Sequence, residues 1–307
     1  MTYCLALRLD EGLIFLADTR TNAGVDNVGV YRKLHVLRPA PDRLFVLQSA
    51  GNLATTQEVL DRIDRDLAHP DGRETLATVD HLFEAALYVG RLGQEVCKSH
   101  AEGLGGSSAG TASFILGGQI AGERPEILLV YPEGNYIRAS DTRPFLQIGE
   151  TKYGKFMLEL GVHARVDLNT AVKVALSSML STARANLSVG PPYDLGVYHN
   201  GSLDLVEHRI EEGSDYLRQL QEVWVEHLTD ALHHLPPIPP ERIIAFIQSR
   251  RDVKLAGPDR LRFTLATPDL KARVHRIREI VAGLARPAPV PSSRDRAAPS
   301  SKDRRHS

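Results

Sequence analysis

Residues Thr2 to Asp10 alternate in side, with Tyr3, Leu5, Leu7 and Leu9 on one face and Thr2, Cys4, Ala6 and Arg8 on the other. That two-residue period predicts a β-strand. Glu11-Gly12 reads as a turn and Leu13 to Asp18 as a second strand. Thr19 to Asn27 is polar, with Asn22, Gly24 and Asn27, and reads as a loop. Lys33 to Leu37 and Leu44 to Ala50 predict two more strands around the turn Pro39-Ala40-Pro41-Asp42. The period then lengthens. Leu53 to Leu67 carries Val59, Leu60, Ile63 and Leu67 at helical spacing, and Leu76 to His100 carries Leu82, Ala86, Val89, Leu92 and Val96 on one stripe. After the glycine-serine stretch Gly103 to Gly110, strand patterns return at Ala112 to Leu116, Glu126 to Tyr131, Tyr136 to Ser140 and Phe145 to Ile148.

Two further helices are predicted over Lys152 to Leu160 and Leu168 to Leu187. The second has Asn169 near its start and Ala171, Val174, Ala175, Ser178 and Met179 along a face. Asp194 to His199 and Leu203 to His208 flank Asn200-Gly201, the strongest short-range hairpin signal. An amphipathic helix from Asp215 to Leu235 runs into Pro236-Pro237-Ile238-Pro239-Pro240. The order is strands, two helices, strands, two helices, strands. Two antiparallel sheets between helix layers would bury all of these faces. Residues 1–240 are expected to form one domain and 241–286 a helical extension. The proline-rich segment 287–307 reads as a disordered basic tail.

With 307 residues, 42% hydrophobic and 24% charged, the chain has ordinary globular composition, which excludes collagen-like and wholly disordered classes. No apolar run exceeds five residues, far short of the roughly 20 that cross a bilayer as a helix. The first ten residues lack the basic and long apolar regions of a secretory signal. Cys4 and Cys97 are the two cysteines and have no CxxC partner, which fits a reducing cytoplasm and argues against a cysteine metal site. The net charge is −1, but its distribution is uneven. Residues 1–240 hold 21 Lys+Arg against 31 Asp+Glu, and residues 241–307 hold 16 against 7. A basic tail on an acidic body suggests docking on acidic surface. Nucleic-acid binding is the weaker reading, since no recognised binding motif accompanies the charge.

The chemistry of interest sits at the chain start. Thr2 follows Met1, and a small residue there permits removal of the initiator methionine. Thr2 would then carry a free amine beside its hydroxyl. A Thr hydroxyl needs a base to act as a nucleophile. An α-amine, with an ordinary pKa of about 7.7–8.0, can be that base. A nearby Lys ammonium would lower the amine pKa further, and a carboxylate must balance that ammonium if it is buried. Asp18 and Lys33, at strand ends, are candidates for this pair. Taken alone the pattern is weak, because many chains begin Met-Thr and strand-end Asp and Lys are commonly solvated.

A resemblance strengthens it. Thr2 to Leu9, Phe15 to Gly24 with Asp18 and Thr21, and Arg32-Lys33-Leu34-His35 resemble a proteasome-type β subunit. The segments Ser49 to Asn52, Gln147 to Lys155 and Ser188 to Leu195 follow in the matching order. The resemblance is strongest to the bacterial Anbu branch (ancestral β subunit), a relative of HslV, and spans about residues 2–210. It implies an α+β fold, the four-layer αββα sandwich of N-terminal nucleophile hydrolases. It implies that Thr2 Oγ attacks a scissile carbonyl with its own amine as base. Lys33 would tune the pair, Asp18 would orient Lys33, and the Gly51 N–H would stabilise the oxyanion. Thr21 and Ser49 would line the substrate pocket. No cofactor or metal is implied. The partners implied are a peptide or protein substrate and other copies of the chain in a ring or spiral, and no ATPase partner is identified.

The chain also departs from the family pattern. Glu150 stands where a serine is usual, and Asn186 and Val189, with Ser188 adjacent, stand where the family has an aspartate and a serine. A carboxylate at 150 would pair with the Thr2 amine or with Lys33 and weaken the base. The function this implies is a cytoplasmic threonine peptidase subunit. Its rivals are an amidohydrolase of a small amide or isopeptide and a non-catalytic scaffold. Gly103 to Gly110 lacks the ending of a phosphate loop. The spacing of His227, His233 and His234 does not give an i, i+4 metal pair, and Trp224 reads as packing.

Overall fold

A computed structural model describes residues 1–22, 28–100 and 110–236. By its internal contacts the chain divides into two units, 1–235 and 236–307. The expected extension over 241–286 and the tail over 287–307 lie outside the described residues, as do Gly24, Asn27 and the stretch 103–109.

The first unit is built from two five-stranded antiparallel sheets. The first has the order β10-β1-β2-β11-β12, from Phe145–Gly149, Tyr3–Arg8, Gly12–Asp18, Tyr193–His199 and Leu205–Ile210. The second runs β5-β6-β7-β8-β9, from Leu34–Ala40, Arg43–Gly51, Ala112–Ile120, Glu126–Val130 and Tyr136–Arg138. Helices α1 (Leu53–Ala68) and α2 (Leu82–Ser99) cover the outer face of the second sheet, and α3 (Lys155–Gly161) and α4 (Leu168–Ala185) that of the first. This is the αββα sandwich.

The layers follow from the alternation in the sequence. Tyr3, Leu5 and Leu7 point into a core shared with Ala171, Ala175 and Met179 of α4. Cys4 and Ala6, on the opposite side of the same strand, join Leu13, Phe15, Val46 and Ile115 between the two sheets. A third core packs Val59, Ile63, Val89 and Val96 of α1 and α2 against Phe45, Leu47 and Phe114. β1 is therefore buried on both faces, which is why its pattern alternates without a polar side until Arg8.

Several boundaries differ from the pattern. Part of the expected loop at 19–27 is a ribbon, β3 (Arg20–Asn22) paired with β4 (Val28–Val30). Strands of three residues are too short to give a periodic signal. Helix α2 starts at Leu82, the first residue of its apolar stripe and six residues after the expected start at Leu76. Thr75 and Thr78 satisfy the preceding backbone with their own hydroxyls, and Glu84 caps the helix by accepting from the Asp80 and His81 N–H groups. Leu76 and Val79, in this non-helical lead-in, are nevertheless buried. α3 starts at Lys155, and α4 is capped by Asp167, whose carboxylate accepts from the Thr170 N–H at 2.9 Å. The Asn200-Gly201 hairpin joins β11 and β12 as expected, with Gly201 at φ +76°. Helix α5 (Asp215–His233) starts at its Ser214 cap.

Candidate active site

Three strand ends meet around Thr2. Thr2 precedes β1, Asp18 closes β2, and Lys33 precedes β5. The Lys33 Nζ donates to Asp18 Oδ1 at 2.7 Å, and the two side chains are 6% and 0% exposed. A buried ion pair is tolerable only when its remaining donors and acceptors are met. Here Lys33 Nζ also donates to the Arg20 carbonyl at 2.7 Å. Asp18 Oδ1 accepts from the Tyr3 N–H at 2.9 Å, and Oδ2 from the Gly190 N–H at 3.3 Å. Burial pushes the Asp18 carboxyl above its ordinary value, and Lys33 and the two backbone N–H groups oppose the rise. The Tyr3 bond ties the residue after Thr2 directly to the pair.

Beneath this, Tyr3 is fixed by its own ring. Its hydroxyl shares a hydrogen bond with Ser178 Oγ at 2.7 Å and accepts from Gln147 Nε2, while Ser178 Oγ donates to the Gly154 carbonyl at 2.9 Å. Burial raises its phenol to about 12, so it stays protonated. Cys4 is fully buried next to it, donates to the Ser49 carbonyl at 3.6 Å, and has its thiol pushed up by burial. It is an inert core residue.

The second sheet supplies the other side. The Ser49 N–H donates to the Lys33 carbonyl at 3.2 Å, so Ser49 lies across from Lys33. Gly51 follows two residues on, paired with Ala112 at the end of β6. Its φ of +120° and the 2.5 Å approach a Cβ would make to the Thr111 carbonyl reserve this position for glycine. Thr21 sits on β3 opposite Gly29, and its hydroxyl is buried with no hydrogen-bond partner among the described residues.

The third side is the turn after β10. Gly149, at φ +85°, lies against Thr2, and a Cβ there would stand 1.9 Å from the Thr2 carbonyl oxygen. The Glu150 N–H donates to that oxygen at 2.7 Å. The Glu150 carboxylate, 7% exposed as a residue, accepts from Asn186 Nδ2 at 3.0 Å. The expected pairing with Lys33 is absent among the described residues: two of the three Lys33 donors go to Asp18 and the Arg20 carbonyl, and the Glu150 carboxylate bonds Asn186. Asn186 Oδ1 in turn accepts from the Ser188 N–H at 3.0 Å, and Val189 is buried.

The structure thus brings together Asp18 with Lys33, Ser49 with Lys33 and Glu150 with Asn186, and it sets the Glu150 backbone against Thr2. Sequence reasoning missed Arg20 and Gly190. Arg20 holds Lys33 with its carbonyl and the 187–190 turn with its guanidinium, which donates to the Leu187 carbonyl at 3.0 Å. Both contacts to the ion pair come from backbone groups, which leave no signal in side-chain identity. Among the described residues no helix is long and apolar enough to cross a membrane, and no group of three or more His, Cys, Asp or Glu could hold a metal ion.

Solved structures of Anbu proteins resemble this chain along nearly their whole length. Anbu from Yersinia bercovieri is 39% identical at a TM-score of 0.72, over 77% of this chain and 99% of its own. Anbu from Hyphomicrobium sp. strain MC1 is 43% identical at 0.70, over 77% and 99%. Anbu from Pseudomonas aeruginosa, solved as a helical assembly, is 39% identical at 0.74, over 78% and 99%. No family model and no curated protein matches the chain.

Proposed function

For a chain that belongs to the Anbu family of proteasome-type β subunits, we propose a threonine peptidase subunit that acts in the cytoplasm as a homo-oligomer. The observation that carries this reading is the sealed Asp18–Lys33 pair bonded to the Tyr3 N–H, one residue from Thr2. Removal of Met1 frees the Thr2 amine. The Lys33 ammonium, held by Asp18, disfavours a second positive charge beside it and so keeps that amine neutral, with its lone pair free to take the hydroxyl proton. Thr2 Oγ then attacks the carbonyl of a peptide bond. The N–H of Gly51 stabilises the developing oxyanion, an effect worth on the order of 10²–10³ in rate in other hydrolases. The leaving amine takes the proton, and water hydrolyses the acyl-enzyme on Thr2. Thr21 and Ser49 are small and uncharged, which supports a pocket without preference for a charged side chain. The helical assembly of the Pseudomonas relative supports association of copies through a repeating contact.

The test combines intact mass with a Thr-reactive covalent probe. The expected result is loss of Met1, one probe adduct at Thr2, and no turnover or adduct in Thr2→Ala. Retained Met1 removes the base, and undiminished hydrolysis by Thr2→Ala removes the nucleophile. Either outcome defeats the reading.

A further inference from the structure

Removal of Met1 leaves Thr2 with a single backbone link, the peptide it shares with Tyr3. A residue inside a chain is held from both sides and a first residue from one only. That peptide, and whatever anchors it, decides where the Thr2 hydroxyl and amine sit. Both of its polar atoms are bonded. The Thr2 carbonyl accepts from the Glu150 N–H at 2.7 Å, and the Tyr3 N–H donates to Asp18 Oδ1 at 2.9 Å. The further anchor is the Tyr3 side chain, on a residue that is 0% exposed.

The phenol belongs to a directed chain of hydrogen bonds. Ser178 Oγ gives its one proton to the Gly154 carbonyl at 2.9 Å, so across the 2.7 Å contact the Tyr3 hydroxyl donates and Ser178 Oγ accepts. The Tyr3 oxygen in turn accepts from Gln147 Nε2. Gly154, the N-cap of α3, ends the short segment that begins at Glu150. A circuit closes in this way. It runs from Tyr3 through Ser178 to Gly154, along the chain back to Glu150, and from the Glu150 N–H to Thr2. There is little slack in it. A Cβ at Gly154 would collide with the Tyr3 and Ser178 oxygens and stand 2.8 Å from Thr182 Oγ1. Ser178 and Thr182 are as fully buried as Tyr3.

A phenylalanine would fill the same space with no polar atom to satisfy, so the hydroxyl is not there for packing. We propose that Tyr3 is a positioning residue for Thr2: its hydroxyl, through Ser178 and Gly154, fixes the segment whose Glu150 N–H holds the Thr2 carbonyl. Proton transfer from the Thr2 hydroxyl to the Thr2 amine depends on that placement, and a misplacement of about 1 Å can cost on the order of 10²-fold in rate. The effect on rate rests on the function proposed above, whereas the effect on the amine needs only the loss of Met1.

The test uses the full chain and a trileucine vinyl sulfone, whose alkene takes up Thr2 Oγ. Tyr3→Phe removes the hydroxyl, and Ser178→Ala removes its acceptor from α4. Tyr198→Phe is the control, because its phenol is equally buried and bonded to Gln119 but lies on β11, outside the circuit. The expected result is that Tyr3→Phe and Ser178→Ala each slow the first-order labelling step by about tenfold and leave the half-saturating probe concentration within about twofold. The double variant should be no slower than the slower single, since both break one circuit. Tyr198→Phe should label like the wild type. The second readout is the Thr2 amine, titrated by NMR. Lys33 holds its pKa down. In both circuit variants it should rise toward the ordinary 7.7–8.0 as Thr2 leaves its place. Wild-type labelling in both variants, an equal loss in Tyr198→Phe, additive losses in the double variant, or an amine pKa that stays put overturns the proposal. If Tyr3→Phe fails to fold, Ser178→Ala decides by the same rate and the same titration. Absence of labelling in the wild type defeats the proposed function. The titration then decides the positioning alone, for it if the pKa rises and against it if it does not.

Discussion

Thr2 stands between two kinds of electrostatic support. On one side the Asp18–Lys33 pair is nearly free of solvent, and backbone groups from three segments complete its hydrogen bonds. On the other side the Glu150 carboxylate has one neutral side-chain partner, Asn186, which is itself only half-buried and sits at the C-terminal cap of α4. The first side is over-determined, so it fixes geometry. The second is under-determined, and only its backbone is tied to Thr2, through the Glu150 N–H. The same looseness continues outward, since α5 buries only Leu217.

The largest expected effect comes from splitting the sealed pair. Lys33→Met leaves Asp18 as a lone buried carboxylate and should cost about 3–5 kcal/mol, together with loss of turnover. The double variant Asp18→Asn with Lys33→Met should recover much of that stability but none of the activity. Urea denaturation of the three proteins checks this. If the double variant is as unstable as the sum of the singles, the two groups do not act as a pair.

Gly149→Ala comes next. The positive φ alone costs about 1–3 kcal/mol, and the Cβ would meet the Thr2 carbonyl. Probe labelling at Thr2 should fall by at least tenfold (about 1.4 kcal/mol) while the folded far-UV spectrum is kept. Wild-type labelling by this variant would show that the turn does not set the position of Thr2.

Glu150→Gln tests the loose side. The amide oxygen still accepts from Asn186, so stability should change by less than about 1 kcal/mol. A carboxylate beside an ammonium favours the protonated amine, so removing it should lower the pH at which the Thr2 base becomes active. The acidic limb of the kcat/KM profile should move down by about one pH unit. A profile that stays in place, or moves up, would mean that Glu150 does not face the amine.

Leu232→Ala on α5 should have the smallest effect. The side chain is 68% exposed, so the stability of the isolated subunit should change by less than about 0.5 kcal/mol. A loss several times larger in the assembled protein would place this face of α5 in a subunit contact.

Much of the sandwich was legible because burial follows periodicity. The alternation from Tyr3 to Leu7 assigned each side chain to one of two cores, and the stripe from Leu82 to Val96 marked the inner face of α2. Where side chains satisfied the backbone locally, as at Thr75 and Thr78, the expected helix began six residues ahead of the true start. The ribbon at Arg20 was hidden because three polar residues carry no pattern.

The sequence by itself determined the order of strands and helices and the residue types near Thr2. Each of these depends on local geometry or on a side chain's own chemistry. Only the tertiary structure decided that Glu150 bonds Asn186 instead of Lys33, and that Arg20 and Gly190 complete the ion pair. The ion pair is completed by backbone groups, which are the same in every residue, so no sequence pattern distinguishes the ones that reach it. The Glu150 partner is a side-chain amide, and which one comes within reach depends on how the turn after β10 meets the end of α4.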